Sequence, residues 1–343
     1  MFPSALPVPL LPDARQLPSL RWGIVGPGWI ADHFASALRH HTQQQLIAVS
    51  SRSRDKAQAF ADKWSIPHIS MGTDELLTRN DIDAVYLATP HNHHFPDGLR
   101  ALRAGKHVLI EKPLALNAQQ GASLQQAARA ANRLCMEAMW CDYAPKYSVI
   151  RQLLHDGALG DIHSLLADHG EFFTRDHRIF NADLAGGPML DLGSYLVAFS
   201  VLIGGAPESI RATGQAAPGG VNGQTSMLFT HAGGMQSVLH TTLFSNTPGS
   251  AVIAGRDATL TVDGQFYAPG SFTLTSADKR HTLRWEEPAN RYIQLCHEIN
   301  HFAWCIGQGH LDSPIRSLDT VLVTLSAMDE VRRQIGVTFN EER

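Results

Sequence analysis

The stretch Arg21-Trp22-Gly23-Ile24-Val25-Gly26-Pro27-Gly28-Trp29-Ile30-Ala31 decides the fold. Its first half is short and apolar, as in a strand buried on both faces. Its second half is GxGxxA, and the residues after it, to His41, read as a helix. GxGxxA alone is a weak signal, but between a strand and a helix it specifies the turn of a dinucleotide-binding βαβ unit. Gly26 permits the tight turn, Gly28 lets a pyrophosphate approach the backbone, and Ala31 lets the helix lie close to the strand. The helix N-terminus, at Trp29 and Ile30, offers unpaired N–H groups to phosphate oxygens.

Outward from this turn, short apolar strands alternate with amphipathic helices. LIAVSS precedes RDKAQAFADKW. A short strand near His68 precedes a helix near Leu76. DAVYLATP precedes FPDGLRALRAG, HVLIEKP precedes NAQQGASLQQAARAA, and RLCMEAM is a sixth strand. The alternation predicts a Rossmann domain over residues 21–143, a doubly wound parallel sheet covered on both faces. Residues 144–343 form an α+β domain with a large, mostly antiparallel open sheet. It opens with the helix APKYSVIRQLLHDGALG, the strand IHSLLADHGEFF and the apolar helix MLDLGSYLVAFSVLIGG. Strand-like segments follow from Glu208 to Glu286, with HAGG and VDGQ as hairpin turns. Two helices close the chain, NRYIQLCHEINHFAWCIGQG and DTVLVTLSAMDEVRRQIG.

Composition excludes several classes. The 343 residues suit two domains. A net charge of −4 leaves no basic surplus for nucleic acid or an anionic membrane. No run approaches the roughly 20 apolar residues that span a bilayer. The four cysteines form no CxxC pair, which suits a reducing cytoplasm. The first twenty residues contain Pro3, Pro7, Pro9 and Pro12 and lack an early cation, so they read as an extended or disordered leader rather than a signal peptide. An arm packed on a partner subunit is the alternative.

Cofactor choice is read at the end of the second strand. An NAD enzyme usually places an acid there for the ribose 2′-OH. This chain has Ser50-Ser51-Arg52-Ser53-Arg54, and its first acid is Asp55. Ser51 can donate to a 2′-phosphate, Arg52 can pair with it while stacking on adenine, and Arg54 and Lys56 add charge. The cofactor expected is NADP. At the end of the fifth strand stands Glu111-Lys112-Pro113. Carboxyl ends of strands face the ligand crevice in such sheets, so Lys112 is expected near the nicotinamide.

GxGxxA, then Ala88-Thr89-Pro90 with His94 four residues past the proline, then Glu111-Lys112-Pro113, resembles the Gfo/Idh/MocA oxidoreductases. GALGDI at 157–162, GGPMLDLGSY at 186–195 and the closing helices continue the resemblance in order, from about Arg21 to Phe339. It implies hydride transfer on sugars, cyclitols or related carbinols, and a dimer formed through the second sheet. It also implies that Thr89, Pro90, His94 and Glu111 line the cofactor crevice, and that Asp191 and Tyr195 are catalytic. These two stand at i and i+4, one helical face. Tyrosine at 195 and Glu137-Ala138-Met139-Trp140 resemble the branch of dihydrodiol dehydrogenase, glucose–fructose oxidoreductase and xylose dehydrogenase. Relatives often carry arginine at the position of Asp142, so a charge near the substrate mouth is expected to be reversed.

The mechanism expected is proton removal from a carbinol by Tyr195, with the Lys112 ammonium favouring the phenolate. Asp191 orients Lys112 or a sugar hydroxyl. Trp140, Phe173 and Arg175 are candidate substrate contacts. His297-Glu298-Ile299-Asn300-His301 spells the HExxH zinc signature, but no glycine-spaced third histidine follows, and no metal is expected there or at His91, His93 and His94. The alternatives are an NADPH-dependent keto-sugar reductase, a sugar oxidoreductase that retains its cofactor, and a non-catalytic NADP-sensing scaffold.

Overall fold

The computed structural model describes residues 2–217, 220–287, 290 and 292–342. The backbone divides into two units. One comprises Leu11–Ala144 and Asn290–Leu322, the other Met1–Leu10, Pro145–Ala289 and Val323–Arg343.

In the first unit, six strands form one parallel sheet: β1 (Arg21–Val25), β2 (Gln45–Ser51), β3 (His68–Met71), β4 (Ala84–Leu87), β5 (His107–Glu111) and β6 (Cys135–Ala138). Their order is β3-β2-β1-β4-β5-β6. The order reverses between β1 and β4, and a crevice opens there at the carboxyl ends of the strands. The helices are α1 (Trp29–His41), α2 (Arg54–Trp64), α3 (Thr73–Leu77), α4 (His91–Arg103) and α5 (Ala118–Ala131). The core stacks aromatic rings on the sheet. Trp22 of β1 meets Phe34 of α1 edge-on at 5.6 Å, and Phe34 stacks on Tyr86 of β4 at 3.7 Å.

The division differs from a single cut after residue 143 in two respects, the first being that Met1–Leu10 belong with the second unit. Second, residues 290–322 belong with the parallel sheet. Leu295, Ile299, Phe302 and Ala303 form a buried stripe at helical spacing on the penultimate helix. Phe302 lies 4.9 Å from Trp22, so a segment far along the chain completes the core around β1.

In the second unit come α6 (Pro145–His155), β7 (Ile162–Gly170), α7 (Pro188–Asp191) and α8 (Gly193–Gly204). Strands β8 (Pro207–Ala216), β9 (Asn222–His231), β10 (Gln236–Thr242), β11 (Ala251–Gly255), β12 (Ala258–Val262), β13 (Phe272–Ser276) and β14 (Thr282–Trp285) follow. The sheet order is β14-β13-β12-β11-β7-β10-β9-β8, antiparallel except for the β7–β10 pair. The closing helices are α9 (Leu295–Gly307), in the first unit, and α10 (Leu318–Gln334), which the unit boundary crosses.

Three local expectations change. MLDLGSYLVAFSVLIGG is not one helix: α7 and α8 meet at Leu192 with a 42° bend. Gly193 sits at the break, and the Tyr195 N–H donates to Leu192 O at 3.3 Å instead of reaching Asp191. One regular helical turn therefore does not connect Asp191 to Tyr195. VDGQ is not a tight hairpin: it opens a loop between β12 and β13 that buries Phe266 and Tyr267. The leader, expected to be extended or disordered, is tied to α6 near its start. Leu10 N donates to Ser148 Oγ of α6 (2.8 Å), and Gln152 Nε2 donates to Val8 O (2.9 Å).

Candidate active site

At the crevice, Gly26 has a φ of 91°, and a Cβ there would lie 2.8 Å from Ala88 O, so a glycine is required where the β1 and β4 ends converge. Gly28 is the N-cap of α1. No side chain caps this helix, and a Cβ on Gly28 would meet nothing within 4 Å. The first amides of α1, at Trp29 and Ile30, therefore open on space that a pyrophosphate fits, where the helix dipole favours an anion. At the end of β2, Ser51 Oγ accepts from Ser53 N (3.1 Å), and Ser53 Oγ caps α2 by accepting from Lys56 N (3.4 Å). Arg52 and Arg54 are exposed on this turn. Asp55 lies inside the first turn of α2, where it complements the helix dipole.

The residues after β4 are tied inward. Thr89 Oγ1 donates to Asp97 Oδ2 (3.2 Å), and Pro90 is the N-cap of α4. His94 has no exposed surface. Its Nδ1 faces Pro113 O at 2.8 Å and its Nε2 faces Thr89 O at 2.9 Å. Burial holds its pKa below the ordinary histidine value, against the pull of both carbonyls. The ring thus braces the β4 turn against the turn that carries Lys112.

That turn has a buried foundation. Glu111 accepts from the Tyr86 hydroxyl and, through its other oxygen, from Lys112 N at 3.3 Å. The Lys112–Pro113 peptide is cis. Leu114 N donates to Glu137 Oε1 (2.8 Å), while Arg316 Nε donates to Glu137 Oε2 (2.6 Å) and Arg316 Nη1 to Asp142 Oδ2 (3.3 Å). All three charged side chains are buried. Burial alone would lower the guanidinium's pKa, but the charges of Glu137 and Asp142 raise it above its ordinary value. Asp142 is therefore not a reversed charge at a substrate mouth. It is half of the counter-charge to Arg316, a partner 174 residues away that spacing does not reveal.

In the second unit, Tyr195 is 9% exposed and stacks on Tyr267 at 4.7 Å, which stacks on His169 at 4.1 Å. Glu171 Oε1 accepts from the Tyr267 hydroxyl (3.0 Å) and lies 3.2 Å from His169 Nε2. Sequence reasoning missed His169, Glu171 and Tyr267, which arrive from β7 and from the loop after β12. Asp191 pairs with Arg178 at 3.6 Å. Phe173 packs on the small cluster of Ile179, Leu192 and Leu243, and its ring stacks on His177 at 4.6 Å. Arg175 is exposed and lines a shallow cleft with His177, Arg178 and Asp183. Trp140 lies in the first unit on a 3-10 turn after β6, 5% exposed.

HExxH falls on α9, with Glu298 and His301 buried in the core. His301 is buried against Ser313 Oγ (2.9 Å) and Cys305 Sγ (3.4 Å). Burial pushes the His297 pKa down to about 4. Glu298 has no exposed surface, and burial together with the charge of Glu111 lifts its carboxyl well above the carboxylate range. Among the described residues no three His, Cys, Asp or Glu side chains gather as metal ligands.

A Rossmann sheet with an uncapped helix N-terminus at its switch point is the architecture of a dinucleotide-binding domain. Residues 20–139 match the oxidoreductase family with an NAD-binding Rossmann fold, and residues 147–261 match the GFO/IDH/MocA C-terminal domain. The chain belongs to the GFO/IDH/MocA oxidoreductase family. It is 33% identical over 327 residues to the trans-1,2-dihydrobenzene-1,2-diol dehydrogenase of Xenopus tropicalis, covering 93% of this chain and 99% of that one. The mouse enzyme of the same name is 31% identical over 332 residues, covering 95% and 99%. Among solved structures it is similar to KijD10, a 3-ketoreductase from Actinomadura kijaniata in complex with NADP and TDP-benzene. The TM-score is 0.83 at 27% identity, covering 93% of this chain and 98% of that one. An aldose-aldose oxidoreductase from Caulobacter crescentus shares the fold, with a TM-score of 0.82 at 22% identity and coverage of 92% and 97%. The chain is thus an oxidoreductase acting on CH–OH groups.

Proposed function

We propose that the protein is an NADP-preferring dehydrogenase of a sugar or cyclic diol, xylose- or trans-dihydrodiol-dehydrogenase-like. The observation that carries this reading is the basic turn Ser51-Arg52-Ser53-Arg54 at the end of β2, with no acid before α2. NADP+, when bound, would supply the acceptor for the hydride of the carbinol carbon. The amides of α1 would hold its pyrophosphate, and Arg52 with Ser51 its 2′-phosphate. Tyr195 takes the carbinol proton at its phenolic oxygen, and Lys112 supplies the positive charge that favours the phenolate. Asp191, Arg175, Phe173 and Trp140 bind or orient the substrate, and Thr89, Pro90, His94 and Glu111 shape the cofactor crevice. Arg52→Ala is expected to lower the NADP+/NAD+ ratio of kcat/KM by about 10- to 100-fold, the loss of one charge-assisted phosphate contact. An unchanged ratio would sink the NADP assignment.

Reduction of a keto-sugar by NADPH is the second reading, supported by the likeness to a 3-ketoreductase solved with NADP. The protein works as a homodimer through the open face of the second sheet. Leu166 of β7 and Val238 of β10 are register partners on that face and are each 49% exposed. Leu228 and Val252, half-buried, extend the apolar row on either side. An exposed apolar row on a sheet face supports this reading. Leu166→Glu with Val238→Glu is expected to weaken association about 100-fold or more, giving monomers by light scattering. A wild-type monomer at high concentration would contradict the dimer. The four cysteines, all buried and in no disulfide, suit a reducing compartment, the cytoplasm.

A further inference from the structure

Trp29 follows Gly28 directly at the pyrophosphate site and is 64% exposed. An exposed tryptophan carries a large apolar surface that water hydrates poorly. This one does not lie loose. Its ring meets Tyr292 edge-on (5.0 Å, 86°) and His33 edge-on (4.7 Å, 79°), and His33 stacks on Tyr292 at 3.9 Å. Tyr292 precedes α9, and His33 lies one turn into α1. Tyr292 also lies 6.5 Å from Trp140. Trp29 follows the end of β1 and Trp140 follows the end of β6. The sheet is parallel, so both tryptophans stand at its carboxyl edge, with Tyr292 between them. That is the edge a dinucleotide occupies in this fold.

We propose that Tyr292, braced by His33, is a positioning residue that holds Trp29 as an aromatic clamp on the dinucleotide and slows its release. Holding the indole in place before binding removes the ordering cost that a free side chain would add. Trp29 also brings an indole N–H, a donor suited to a phosphate or ribose oxygen. This inference rests on the functional reading above and adds Tyr292 and His33 to the residues that reading uses. It concerns release rate, whereas Arg52 concerns the choice between NADP and NAD.

The test measures binding and release of NADP+ without substrate. Quenching of tryptophan fluorescence gives Kd, and a chase with excess unlabelled NADP+ after loading an etheno-adenine analogue gives the dissociation rate. Trp29→Ala and Tyr292→Leu are each expected to raise Kd and the dissociation rate about 3- to 10-fold, the usual worth of an aromatic contact. Tyr292→Phe keeps the ring and stays within about twofold, and the NADP/NAD preference is unchanged in all three. Trp29→Ala sits at an exposed position, so its effect is measured on an intact fold. Release rates within about twofold of wild type in both Trp29→Ala and Tyr292→Leu would overturn the clamp while the wild type still binds cofactor. A wild type that binds no dinucleotide would overturn the functional reading itself, and the two failures are distinct.

Discussion

Tyr195→Phe is expected to lower kcat by about 10²- to 10⁴-fold, the usual worth of a positioned acid–base group, with KM for the carbinol little changed. Phenylalanine keeps the ring that stacks on Tyr267 at 4.7 Å, so only the phenolic oxygen is lost. Loss of kcat without loss of binding is the signature of a group that acts in the transition state. Lys112→Met is expected to fall by a similar factor for a different reason. Without the ammonium the phenolate is less favoured, so the pH at which activity rises moves upward. Cofactor binding measured by fluorescence should survive Tyr195→Phe, which separates chemistry from fold. If both variants keep turnover within a few-fold of wild type, the mechanism is wrong.

Arg316→Leu is expected to destabilise the protein by about 3–5 kcal/mol, because it strands two buried carboxylates. Glu137 and Asp142 are 2% and 7% exposed at their side chains and face Arg316 at 2.6 and 3.3 Å. Asp142→Asn removes one partner and leaves Glu137 on the guanidinium, so its cost is smaller. Chemical unfolding checks this order. Because Glu137 also accepts from Leu114 N, Arg316→Leu is expected to loosen the turn that carries Lys112 and to lower kcat in the protein that remains folded. An Arg316→Leu protein within about 1 kcal/mol of wild type would show the triad to be dispensable.

The parallel sheet was legible because its signals are local. Each strand is a short apolar run, each helix follows it within a few residues, and Gly26 and Gly28 sit where only a phosphate-binding turn needs them. The charge-bearing turn at Ser51–Arg54 was legible for the same reason. What pattern reading missed is held by distant partners. Arg316 meets Glu137 and Asp142 from the far end of the chain. Phe302 reaches Trp22 and takes residues 290–322 into the first unit. Tyr267 is carried to Tyr195 by a loop that begins with a hairpin-like VDGQ. Periodicity also hides local breaks: the apolar run around Gly193 looks continuous, yet the helix bends there, between Asp191 and Tyr195. His94 shows a related limit. Its motif position was recognised, but only the two carbonyl contacts reveal a brace between turns.

The central claim is NADP-dependent oxidation of a sugar or cyclic diol. Its most direct test is the initial rate of nicotinamide reduction by purified protein with pentoses, hexoses, inositols and trans-dihydrodiols, each with NADP+ and with NAD+. The account predicts turnover of at least one of these carbinols, with kcat/KM higher for NADP+. No reduction of either cofactor by any member of the panel, or a clear preference for NAD+, would contradict it.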